Sequence, residues 1–183
     1  MDYLPDEALW LAWAVPAVAS AAAAVVDVRQ FRVPNGLTLP LCGGGLLFHT
    51  LLGGVAGLER SGGGLVVGGL LLILFFLIGA MGAGDVKLLA GVGAWLGPSS
   101  TISVFLVAGL AAGLYSLGVY ALRHRLRELR TVFKIVCLQL ATLSRHVAPA
   151  EVGVRLQRAD RRWHVMPFAL MIAIGVLLVG LRV

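Results

Sequence analysis

A chain of 183 residues that is 59% hydrophobic and only 13% charged, with a mean hydropathy of +0.93, is not a soluble domain, which carries about 25% charged residues. Its 24 glycines follow no G-X-Y period, so collagen is excluded; glycine-rich apolar runs are what packed transmembrane helices use for close backbone approach. The net charge of +6 and the pI near 10.2 come mostly from one juxtamembrane loop, where attraction to anionic lipid accounts for them and nucleic acid is not required.

Charge-free runs predict an all-α, polytopic membrane fold in a single domain, residues 1–183, each span needing about 20 apolar residues. The first span is 8–26. Its flank "MDYLPDE" is acidic, whereas a signal peptide opens with positive charge, so the run is read as a retained span. Pro34 cannot continue that helix, and Asn35 is able to cap the next, 36–58. The third span is 62–84. Gly97-Pro98-Ser99-Ser100 divides the following run into a short fourth span, 86–96, and a full fifth, 101–122. The sixth is 165–181. Trp10, Trp13 and Trp163 stand near span ends as interfacial anchors.

With six alternating spans, Arg29, Arg32, Lys87 and the ten basic residues of the loop 123–162 fall on one face, thirteen of the fifteen in the chain, leaving Arg60 and Arg182 on the other. The basic face is then cytoplasmic and the N-terminus outside, in the cytoplasmic (inner) cell membrane. Within the loop, Leu122, Leu126, Leu129, Phe133, Val136, Leu140 and Leu143 recur at spacings of four and three, with Arg123, Arg127, Arg130 and Lys134 between them. This pattern predicts an amphipathic helix on the membrane surface, or equally an arm packed against the spans.

Cys42 and Cys137 stand alone without a CxxC, and the four histidines form no HExxH, so neither a zinc site nor any other cofactor is implied. The carboxylates are more informative. Asp27 ends the first expected span and Asp85 the third, both running inward, so the two side chains reach one depth. An ionisable group at the edge of hydrocarbon is a functional candidate by default. Two close carboxylates share one proton, leaving one to activate water as a base and the other to protonate the carbonyl oxygen or amine of a peptide bond. Gly82 and Gly84, in "GAGD", permit unwinding or close backbone approach beside Asp85. A simple N-cap by Asp85 on the helix beginning at Val86 is the competing reading. Lys87 either tunes Asp85 or snorkels to the interface.

Three segments carry a family resemblance. "DVRQFRVPNGLT" (27–38) resembles the first active-site signature of the type IV prepilin peptidases, an aspartate followed by basic residues and I/V-P-N. "GAGDVKLLA" (82–90) resembles their second, G-x-G-D-x-K-L, and "MPFALMIAIG" (166–175) the start of their last helix. The resemblance implies Asp27 and Asp85 as the catalytic pair of an intramembrane aspartic endopeptidase. It also implies prepilin-like or flagellin-like precursors as protein substrates, cut at the cytoplasmic face before their hydrophobic helix. Pro34, Asn35, Gly82, Gly84 and Lys87 are the accompanying site-shaping or substrate-binding positions. The large bifunctional members also have a cytoplasmic domain with paired cysteine motifs and methylate the new N-terminus. This sequence has no CxxC and resembles the short, peptidase-only branch, similar to the Tad/Flp-pilus and archaeal preflagellin enzymes, so no N-methyltransferase activity is expected.

Presenilin and signal peptide peptidase share GxGD, but Asp27 follows Val26 rather than a tyrosine, and Phe168 interrupts a Pro-Ala-Leu element. Two other classes stay open: a small cation or proton transporter using the paired aspartates, and a non-catalytic pilus-assembly membrane protein.

Overall fold

The computed structural model describes residues 5–30, 33–77, 81–122 and 168–181. Among these residues the chain is entirely helical: α1 (Asp6–Gln30), α2 (Asn35–Leu77), α3 (Ala83–Leu96), α4 (Pro98–Leu122) and α5 (Phe168–Gly180). The amphipathic helix expected in 123–162, and Trp163, lie outside the described residues.

Among the described residues three segments are long and apolar enough to cross a membrane, Glu7–Arg29, Asn35–Leu77 and Pro98–Gly118, and Phe168–Gly180 is a shorter apolar helix. Their outer faces carry Val18, Leu51, Val55, Leu70, Leu106, Leu110, Leu114 and Leu177, all exposed. An apolar surface of that extent is what lipid covers. The chain is a membrane protein.

At 43 residues, α2 run straight would be about 65 Å long, twice the thickness of the hydrocarbon core. It is not straight. Gly54 leaves helical geometry at φ 58, ψ −135, a region open to glycine and costly to side chains with a Cβ. Immediately beyond, Gly57 comes so close to the His49 carbonyl that no Cβ would fit between them. The break therefore falls at Gly54 and not at the expected 59–61. Glu59, Arg60 and Ser61, read from the sequence as a charged connection, belong to the second half of the helix.

The two halves of α2 hold α3 between them. Leu41 lies against Gly91, Gly45 against Ala94 and His49 against the Trp95 carbonyl, so the first half runs parallel to α3. Gly64 meets Gly93 while Gly68 meets Leu89 and Ala90, so the second half runs antiparallel. The halves thus form a hairpin. Backbone-to-backbone contact at Gly64, Gly68 and Gly93 explains the glycine content here: any Cβ at these positions would strike main chain.

Every residue of α3 from Leu88 to Leu96 is buried. A helix apolar on all sides is a core element, and α3 is the centre of the molecule. It is joined in the core by Ala23 of α1, Val104 and Ala108 of α4, and Phe168, Ile172 and Val176 of α5. α1 and α5 are antiparallel, with Trp13 against Gly180 at one end and Asp27 bonded to Ala169 at the other.

The expected third span, 62–84, is corrected at its end. α2 is helical to Leu77, Gly82 is extended at φ −78, ψ 147, and a new helix begins at Ala83. Asp85 therefore opens a helix rather than closing one. Gly82, a poor helix former, lies at this break.

Candidate active site

The C-terminus of α1 and the N-termini of α2, α3 and α5 converge at one end of the bundle. Asp27 occupies the last full turn of α1 and is 7% exposed. Its carboxylate accepts a hydrogen bond from the backbone N–H of Ala169, in the first turn of α5, where amides have no partner within their own helix. That contact supplies a structural reason for the third sequence element, whose Phe168 and Ala169 begin α5.

Asp85 is the third residue of α3. Gly82 stands at the N-cap position and makes no side-chain cap, while its backbone N–H donates to the Asp85 carboxylate. This is the backward half of a capping box, in which the third helical residue reaches the N-cap amide. The expected simple cap thus has a counterpart, but it engages only part of the group. Oδ1 of Asp85 is buried without a hydrogen-bond partner among the described residues. A carboxylate oxygen left so costs about 1–3 kcal/mol or more, which structural capping alone does not justify.

Asp27 is close enough for its charge to act on Asp85. Two carboxylates within electrostatic reach disfavour each other's ionisation. Among the described residues no cluster of three or more His, Cys, Asp or Glu side chains is arranged to hold a metal ion.

The other sequence-predicted positions meet at the seam between α2 and α3. Lys87 is exposed and donates to the Asn35 side-chain oxygen at 2.9 Å. The carbonyl of Pro34 accepts from the amides of Leu37 at 3.1 Å and Thr38 at 3.4 Å, which puts Pro34 rather than Asn35 at the N-cap position of α2. Gly84 lies against Val33, where a Cβ would come within 2.9 Å of the Val33 Cβ and 3.3 Å of its amide nitrogen. Gly82 differs: a Cβ there would find its nearest atoms at 3.6 Å and 3.9 Å, ordinary contact distances. Neither glycine has positive φ, a property confined among the described glycines to Gly54 and Gly97. The V-P-N and G-x-G-D-x-K segments are therefore two sides of one joint that sets α3 against the start of α2.

Sequence reasoning missed Val33 and Ala169 at this end. The available signals were the residue flanking Pro34 and the Pro-aromatic start of the last helix. It also missed a polar group at the far end of α3, His49, Arg60 and Ser61. There the signal was polar side chains inside runs otherwise apolar.

A family model described as the type IV leader peptidase family matches residues 14–117, a stretch containing both aspartates. The chain is 38% identical over 124 residues to the prepilin leader peptidase/N-methyltransferase of Aeromonas salmonicida, covering 64% of this chain and 40% of the relative. It is 41% identical over 112 residues to the protein of the same name in Dickeya chrysanthemi, covering 57% and 39%. With the Klebsiella pneumoniae protein of that name it shares 40% identity over 96 residues, covering 49% and 42%. The chain thus spans about two fifths of the length of these curated relatives. No solved structure matches it.

Proposed function

The chain belongs to the type IV leader peptidase family, and from that premise we propose that it is an intramembrane aspartic endopeptidase that removes the leader of prepilin-like precursors, with Asp27 and Asp85 as its catalytic pair. The observation that carries the reading is the buried Oδ1 of Asp85, without a hydrogen-bond partner among the described residues, within electrostatic reach of Asp27. One carboxylate takes a proton from water as the water oxygen attacks the scissile carbonyl carbon. The other gives its proton to the carbonyl oxygen. As the tetrahedral intermediate collapses, the C–N bond breaks and the leaving nitrogen takes a proton from the pair. Each turnover consumes one water and returns the shared proton.

Six passes suit this function. The Gly54 hairpin divides α2 into two halves of spanning length. Counted with α1, α3, α4 and α5, these alternate so that both aspartates fall at one end. Arg29 and Lys87 lie at that end, in agreement with a cytoplasmic site and an external N-terminus. A precursor would enter with its basic leader at the cytoplasmic face, its apolar helix against the spans, and its scissile bond level with the pair.

The test is incubation of the purified chain in detergent with a synthetic prepilin N-terminus, the cut being located by mass spectrometry. A single cut before the hydrophobic segment supports the reading. An intact peptide, together with pH-driven cation flux in liposomes, would replace it with the transporter reading.

A further inference from the structure

The end of α3 remote from Asp85 is unusually well anchored. The last four carbonyls of a helix have no partner within it. Here each has one. The Gly93 carbonyl accepts from the Gly97 amide at 2.8 Å. The Ala94 carbonyl accepts from the Ser61 hydroxyl at 2.6 Å. His49 Nε2 lies 2.7 Å from the Trp95 carbonyl, and Arg60 Nη2 donates to the Leu96 carbonyl at 3.0 Å. Ser61 and His49 are fully buried. The Arg60 side chain lies over Gly97, where a Cβ would sit 2.9 Å from Nε. All three side-chain donors come from the α2 hairpin, His49 before the Gly54 turn and Arg60 and Ser61 after it.

The other end is held differently, by the Gly84–Val33 contact and the Lys87–Asn35 hydrogen bond. At its N-terminus α3 is entered through extended backbone at Gly82, with no side-chain cap. With 14 residues, α3 is about 21 Å long, short of the roughly 30 Å hydrocarbon core. A helix that stops at such depth has its carbonyls satisfied by protein or not at all. It is also a rod: sliding or tilting at the Trp95 end is delivered to Asp85. The slot around it is lined by glycine backbone contacts that set lateral spacing, at Gly64, Gly68 and Gly93, and the polar collar joins the Trp95–Leu41 and Lys87–Asn35 hydrogen bonds in fixing α3 along its axis.

We propose that Ser61, His49 and Arg60 are positioning residues for Asp85: by holding the C-terminal carbonyls of α3 they set its axial height and so the register of Asp85 with Asp27. The proposal rests on the aspartate pair being the catalytic one.

The experiment measures kcat, KM and the pH profile of prepilin-peptide cleavage for the full chain and its Ser61→Ala, Arg60→Met and Arg60→Lys variants, with Asp27→Asn and Asp85→Asn alongside. Displacement of a reacting group by about 1 Å costs up to about 10²-fold in rate. Ser61→Ala and Arg60→Met are therefore expected to lower kcat by about tenfold or more, with KM within about twofold, since the substrate-facing end is untouched. Their pH profiles should move, because the coupled titration of two carboxylates depends on their separation. Arg60→Lys, which keeps a donor for the Leu96 carbonyl, should recover at least about half of the lost rate. Variants that lose only thermal stability, with kcat and pH profile as in the parent, would show a purely structural collar and overturn the proposal while leaving the pair intact. Should Arg60→Met fail to fold, Ser61→Ala and Arg60→Lys decide on the same readouts. Activity in Asp27→Asn or Asp85→Asn would overturn the catalytic pair and the proposal together.

Discussion

The two glycines of G-A-G-D look alike in sequence and are predicted to respond differently to the same change. In Gly84→Ala the new methyl group would lie 2.9 Å from the Val33 Cβ, 3.3 Å from its nitrogen and 3.4 Å from its oxygen. Two of these atoms are backbone and cannot rotate away, so either α3 or the 33–35 segment must move. Overpacking of this kind costs about 1–3 kcal/mol. Asp85 follows Gly84 directly, so displacement of the α3 start is displacement of the carboxylate, and a loss of up to about 10²-fold in cleavage is expected. Gly84→Val should be worse, because a β-branched side chain adds bulk at the same contact. In Gly82→Ala the methyl group meets nothing nearer than 3.6 Å, the backbone at φ −78, ψ 147 is open to alanine, and the amide that donates to Asp85 is retained. Its effect on stability should stay within about 0.5 kcal/mol. The assay is the initial cleavage rate of a prepilin peptide, with folding followed by gel filtration and thermal unfolding in detergent. A wild-type rate in Gly84→Ala, or a greater loss in Gly82→Ala, would refute the reasoning from Val33.

The pH profile of kcat/KM should be bell-shaped: at low pH both carboxylates are protonated and no base remains, and at high pH both are ionised and no acid remains; a profile that only rises would contradict a shared proton. Lys87→Met and Asn35→Ala should each cost no more than about 1 kcal/mol of stability, the pair being exposed, and their effects on cleavage should be non-additive in a double-mutant cycle; additive losses would dissolve the Lys87–Asn35 link. In a cysteine-free background, a single cysteine replacing Arg125 should be labelled from the cytoplasm only and one replacing Glu59 from outside only. Labelling of both from one side would remove the six-pass arrangement.

Much of the architecture was legible because hydrocarbon imposes a simple rule on sequence. The charge-free runs predicted helices; α1 and α4 contain the first and fifth, and α5 lies within the sixth. Asp27 and Asp85 stood out as carboxylates at the margins of such runs, and they do lie at one end of the bundle. What was not legible depended on contacts distant in sequence. The turn at Gly54 is one glycine among 24, distinguished only by its φ and by the approach of Gly57 to His49. Arg60 was read as a loop charge, whereas its guanidinium finds the Leu96 carbonyl 36 residues further on. No local rule pairs Asn35 with Lys87, which are 52 residues apart. Gly84 was read as permitting unwinding or close backbone approach, and the neighbour it approaches closely, Val33 of the same chain, could not be named from sequence. The break before 84 is seen at Gly82, extended ahead of the new helix from Ala83, a helix-poor glycine that a hydropathy run does not penalise.

The most direct test of the account is cleavage of a synthetic prepilin N-terminus by Asp27→Asn and Asp85→Asn, each purified in detergent and shown by gel filtration to be folded like the parent. Asparagine keeps the shape of the side chain and removes its proton chemistry, so each variant should lose cleavage by at least about 10²–10⁴-fold. Processing by either variant at a rate near that of the parent would contradict the aspartate pair as the seat of catalysis.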